Sequence, residues 1–145
     1  MIWNQLSKYT DIGLLIFRLG FGIGFLFFHG WGKISGGPEM WQGVGGAMSN
    51  YGITFGHTFF GFLAAFAEGV GGLLIALGLF YRPIMAMLAF TMLTAFVNHV
   101  VSGQGSPAHA FKNMFVAGGL LPLGPGKYSL DAILSKKTKK EEVTV

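Results

Sequence analysis

The sequence predicts an all-α integral membrane protein, a four-helix bundle with its N and C termini both cytoplasmic. Three observations carry that expectation. Charged residues make up 11% of the chain and apolar residues 52%, before 24 glycines are counted, whereas soluble domains carry roughly 25% charged residues. The apolar residues fall into four runs, about 11–31, 58–80, 83–101 and 109–123. The basic residues are unevenly placed. Four spans put Lys8, Arg82, Lys127 and the tail lysines on one side and leave Lys33 on the other, which the positive-inside rule reads as cytoplasm and exterior. Three spans would put the basic tail outside.

The whole of 1–134 reads as one membrane domain, as expected for a chain of 145 residues. The first run is about twenty residues long, exceeds the ~7–15 of a signal-peptide core, and reads as a retained span. Residues 32–57 form an extracytoplasmic loop. Within it Trp41, Val44, Met48 and Tyr51 recur at helical spacing, which predicts an amphipathic segment lying at the interface with Trp41 as its aromatic anchor. Arg82-Pro83 marks the turn between the second and third spans, because proline suits a helix start and its predecessor disfavours helix. The fourth run is the shortest and contains Lys112; a span needs ~20 apolar residues. Gly124-Pro125-Gly126 ends it, and 135–145 is a basic cytoplasmic tail read as unstructured. Gly20-x-x-x-Gly24 is a candidate for close helix approach.

Composition also removes function classes. Four of the ten basic residues lie in the last ten positions and the others are scattered, so there is no basic, aromatic-interleaved patch for nucleic acid. The chain has no cysteine, which excludes disulfides, thiolate metal sites and thiol redox chemistry of its own. No metal site is expected, because the few histidines have a lysine near them and a metal needs several fixed ligands.

Ionisable groups at membrane depth cost roughly 2.5–3.5 kcal/mol each on insertion scales and persist with partners or a function. Here they are Arg18, His29, Glu68, His99 and Lys112, with Asn98 and Asn113 beside them. Arg18 and His29 are three turns apart on one helix face, with Lys33 just beyond, and Thr91, Thr94, Asn98 and Ser102 form a polar stripe on the third helix. At ~1.5 Å per residue Arg18 lies ~10 Å deep and Glu68 ~20 Å, within reach of the long arginine side chain, so an intramembrane Arg18–Glu68 ion pair is expected. His29 and His99 fall near ~26 Å, with Lys112 slightly lower. These three, together with Lys33 and Asn113, are the candidate ligand-binding residues; no catalytic residue is assigned, and His57 and His109 read as interfacial. A polar pocket of this make-up suits a quinone headgroup, whose carbonyls accept hydrogen bonds.

The strings Arg18-Leu19-Gly20, Phe28-His29-Gly30-Trp31-Gly32-Lys33, Glu68-Gly69-Val70-Gly71-Gly72, Gly78-Leu79-Phe80-Tyr81-Arg82 and Gly124-Pro125-Gly126-Lys127-Tyr128-Ser129-Leu130-Asp131 resemble the DoxX family of small bacterial membrane proteins. The resemblance implies a four-helix membrane bundle in the bacterial inner membrane. It points to Arg18, His29, Lys33, Glu68 and Arg82 without giving them chemistry. It also implies a subunit associated with a redox system, quinone-linked or concerned with oxidative stress, with no covalent cofactor, a possible quinone, and a partner redox subunit or a second copy of itself. The other readings of the same residues are a non-enzymatic scaffold or assembly factor and a small transporter.

Overall fold

The computed structural model describes residues 6–142, and every element in them is helical. Six helices follow one another. Helix α1 is Ser7–Ser35, α2 is Gly37–Gly45 and continues as a 3-10 turn to Tyr51, and α3 is His57–Leu77. Helix α4 is Tyr81–Ser102, α5 is Pro107–Leu120 and α6 is Leu130–Glu142.

This corrects the four-helix bundle. Only α1, α3 and α4 are long and apolar enough to cross a membrane, at 29, 21 and 22 residues and mean hydropathy 1.8–1.9. The fourth run fails on length. Proline at 107 opens α5 and only 14 residues are helical, about 21 Å of rise against a hydrocarbon core of ~30 Å. The architecture is therefore three long helices plus three short ones. Helix α5 lies along α4, and the non-helical segment after it reaches the end of the molecule where α1 begins. Helix α6 runs through the segment expected to be an unstructured tail, and 143–145 lie outside the described residues.

Helix α3 is central: 50% of its apolar window is buried, against 17% for α1 and 22% for α4. Glycine makes the close packing possible. A Cβ at Gly22 would run into the backbone of Gly72 and Ala76, and one at Gly30 into the backbone of Glu68 and Gly69. Gly45 and Gly61 sit the same way against the backbones of His57 and Trp41, docking α2 onto α3. Without a strong hydrophobic force between helices in lipid, such backbone proximity supplies the association. Gly20 and Gly24 have nothing within 4 Å, so the pair singled out by its spacing is not the one that packs.

Helix α1 contains a π turn over Phe25–Gly30. In an unbroken α-helix Gly22 and Gly30 would be about 80° apart around the axis. One extra residue in the π turn brings them to within about 20°, so both meet α3. Between α1, α3, α4 and α5 the core is Phe25, Ile75, Tyr81, Ile84, Met85, Leu88, Met92 and Ala117. Large apolar side chains such as Phe27, Phe28, Phe59 and Phe115 point outward, as they do when the solvent is lipid.

Replacing Gly30 by valine drives a side chain into backbone, so its cost is expected to reach or exceed the ~1–3 kcal/mol usual for overpacking, whereas Gly24→Val should be close to neutral. Thermal unfolding of the two variants in detergent checks this; equal midpoints would mean that the glycine contacts do not hold α1 to α3.

Candidate functional site: a buried ion pair beside an intramembrane cavity

Glu68 closes the first half of α3. Helix is interrupted at Gly69, whose backbone stands at φ −83° and ψ −84°. The Glu68 side chain is 2% exposed and meets the Lys33 ammonium, whose Nζ donates to Oε1 and Oε2 at 2.6 Å each. Lys33 stands one turn beyond His29 in α1. Its backbone carbonyl, one of those left free at a helix end, accepts the Trp41 indole N–H at 2.8 Å, and the Trp41 ring rests edge-on against Phe62 at 5.1 Å. Trp41 thus ties α2 to α1 and α3 across the ion pair.

The expected Arg18–Glu68 pair is not formed. Glu68 takes Lys33, and Arg18 lies near the other end of α3. Its Nη1 donates to the Ala76 carbonyl at 3.0 Å and its Nη2 to the Tyr128 carbonyl at 2.7 Å. The eight residues from Glu68 to Ala76 are about 12 Å of helix, more than the arginine bridges while it is held there. Around Arg18 the closing string forms a clasp. Asp131 accepts the N–H groups of Phe80 at 2.9 Å and Tyr81 at 3.0 Å, capping α4, while its own N–H donates to the Gly78 carbonyl at 3.0 Å. Asp11 accepts the Lys127 N–H at 2.9 Å and pairs with its ammonium at 3.5 Å.

Lys33 and Glu68 form one wall of a cavity of about 360 Å³. Helix α4 contributes Thr91, Thr94, Asn98 and His99, and the remaining walls are apolar, with Val44, Met48, Phe60, Leu63 and Phe90 among them. The 3-10 turn after α2 is held against α4 by Asn50 Nδ2 donating to Asn98 Oδ1 at 3.1 Å. His99 Nδ1 lies 2.8 Å from the Gln104 carbonyl, which fixes the ring under the loop joining α4 to α5. The Thr94 hydroxyl is buried without a hydrogen-bond partner, an uncompensated cost unless a ligand or water meets it.

Of the residues expected to bind ligand, the structure brings Lys33 and His99 to this cavity and not His29, Lys112 or Asn113. The His29 ring packs against the His109 ring, tilted by 35°, with centroids 4.6 Å apart. Asn113 Nδ2 donates to the His109 carbonyl at 3.0 Å, and Lys112 is exposed. The expected face shared by Arg18 and His29 assumed unbroken α-helix; the π turn carries His29 off it by about one residue's rotation, ~100°. His109, read as interfacial, is the contact of His29 instead. Thr91, Thr94 and Asn98 are legible in the sequence as a stripe but not as the lining of a cavity. Among the described residues no group of three or more His, Cys, Asp or Glu is placed to hold a metal ion.

A model of the DoxX family matches residues 13–100. The chain belongs to the DoxX family. The inner membrane protein YqjF of Escherichia coli (strain K12) is 36% identical over 140 residues, which cover 91% of this chain and 99% of that protein. No solved structure matches. This DoxX protein is accordingly a multi-pass protein of the inner membrane. The DoxX match takes in Arg18, Lys33, Glu68 and the cavity side of α4, and stops short of the closing string.

Removing one partner of a buried pair leaves a bare charge. Lys33→Met is expected to cost toward the lower end of ~3–5 kcal/mol, because the lysine side chain is 32% exposed. Lys33→Met combined with Glu68→Leu should recover most of that loss. Detergent unfolding midpoints of the single and double variants test it, and a double variant as unstable as the single would show that the charge is not what matters.

Proposed function

We propose that this chain is a membrane subunit of a quinone-linked or oxidative-stress redox system and binds a quinone, or a small hydrophobic molecule with a similar polar head, in the cavity between α2, α3 and α4 that Lys33 of α1 borders. The observation that carries the reading is a cavity of about 360 Å³ with apolar walls and a few convergent donors. That size and make-up are those of small-molecule pockets in general. A quinone has an apolar ring and tail and two carbonyl acceptors. Lys33 Nζ, the Thr94 hydroxyl, Asn98 and the His99 ring are the groups that would meet those carbonyls. Lys33 also supplies positive charge where negative charge develops on a reduced headgroup. With no cysteine in the chain, electrons for such a step come from a partner subunit.

In this reading His29, Lys112 and Asn113 leave the ligand set, and Thr94 and Asn98 enter it. Decylubiquinone titrated into the purified protein should bind, with His99→Ala and Thr94→Val each weakening it by about 5- to 10-fold, the value of roughly one hydrogen bond of 1–1.5 kcal/mol. His29→Ala should leave binding unchanged. Absence of binding, together with no quinone in extracts of the purified protein, would favour the scaffold reading. Solute flux in proteoliposomes would favour the transporter.

A further inference from the structure

The end of the molecule opposite the cavity carries a set of groups that the proposed function does not use. Lys8 lies over the Tyr9 ring at 4.9 Å and Lys127 over the Tyr128 ring at 5.0 Å. Both tyrosines are about half exposed. Arg82 is exposed in the first turn of α4. Helix α6 starts from the same place, anchored through Asp131 to the N–H groups of Phe80 and Tyr81. Its first two turns show Leu130, Ile133 and Leu134 to the outside, at the i, i+3, i+4 spacing of one helix face. Lys136 and Lys137 follow, also exposed. The sequence of α6 ends with Lys139, Lys140, Glu141 and Glu142.

Asp11 and Asp131 remove part of the positive charge of this end, but Lys8, Arg82, Lys127, Lys136 and Lys137 outnumber them. Asp11 is taken by Lys127 and Asp131 by backbone N–H groups. At the cavity end the basic residue in the site, Lys33, is neutralised by Glu68.

We infer that this basic, tyrosine-edged end and the first turns of α6 form a binding surface for anionic phospholipid headgroups of the adjoining leaflet. Tyrosine with an apolar body and a polar tip sits at the headgroup level. The leucine and isoleucine face of α6 enters the acyl boundary, as interfacial helices do. Lysine and arginine beside it are attracted to the negative surface of acidic lipids. The occupant is lipid rather than a soluble anion because the cations are interleaved with exposed apolar side chains that a free phosphate does not cover.

The test uses the full-length protein in detergent micelles, with dioleoylphosphatidylglycerol or dioleoylphosphatidylcholine added, and reads lipid affinity from the rise in unfolding midpoint. Phosphatidylglycerol should bind more tightly than phosphatidylcholine, and the preference should shrink in high salt. The double variant Lys136→Gln/Lys137→Gln should lose about 10- to 30-fold of the phosphatidylglycerol affinity while its midpoint in phosphatidylcholine stays that of the wild type, which also shows that it folds. Inorganic phosphate at matched ionic strength should not reproduce the effect. Equal response to the two lipids, an unchanged preference in the double variant, or full replacement by phosphate would each overturn the inference.

Discussion

A carboxylate with 2% of its side chain exposed, set at the break of the central helix of a membrane protein, has to be neutralised, and much of the cavity end follows from how Lys33 does it. Lys33 reaches Glu68 only if α1 crosses α3 at backbone distance, which the Gly30–Gly69 contact provides. Gly30 faces α3 only because the π turn at Phe25–Gly30 corrects the phase of α1. The end of α1 is then fixed by the Trp41 indole on the Lys33 carbonyl, and α2 has to lie where Trp41 can donate it. The cavity is the space that remains between this assembly and the polar stripe of α4. A buried pair of this kind is weak evidence for net stability, since desolvation can exceed the attraction. Its position on a cavity wall is the stronger reason to read it as functional.

Much of this was legible in the amino-acid sequence, and the failures have physical causes. The three long spans and the inward polar residues follow from hydropathy and from the cost of charge in lipid. The α4 stripe follows from regular helical spacing, and α4 is the span with no break in it. Pairing and depth were not legible wherever a helix departs from the ideal. The π turn in α1 and the interruption at Gly69 each alter the rotational relation between residues on either side, so ideal spacing does not give the neighbours of His29, which are Phe25 and His109. Lys33 was within one turn of His29 and carried the charge that Glu68 needed. The signal was present, but at ~1.5 Å per residue an ideal helix carries Lys33 ~6 Å beyond His29, above the level of the carboxylate rather than against it.

The glycines illustrate the same limit from another side. Spacing alone drew attention to Gly20 and Gly24, which meet nothing, while Gly22, Gly30, Gly45, Gly61 and Gly72 carry the contacts. In a chain with 24 glycines a four-residue interval is too common to single out a packing face. What selects the packing glycines is the path of the partner backbone, and that depends on the π turn and the α3 break together.

The shortness of α5 explains the other buried charge. A 14-residue helix leaves the chain to complete its return in non-helical form through 121–129. Irregular backbone that is buried needs protein partners for its polar groups. Gly124 and Ser129 are buried, Ser129 Oγ donates to the Gly126 carbonyl at 2.6 Å, and the Tyr128 carbonyl takes an Arg18 Nη2 proton at 2.7 Å. The other Arg18 nitrogen that donates goes to Ala76, in the last turn of α3, where carbonyls lack intrahelical partners. A guanidinium is suited to this because it presents several donors in a fixed plane and keeps its charge, and the partial negative charge of a helix C-terminus favours a cation there. Arg18 therefore serves the backbone, and Lys33 serves a side chain on a cavity. The two charges share a helix, but one closes the fold and the other borders the cavity.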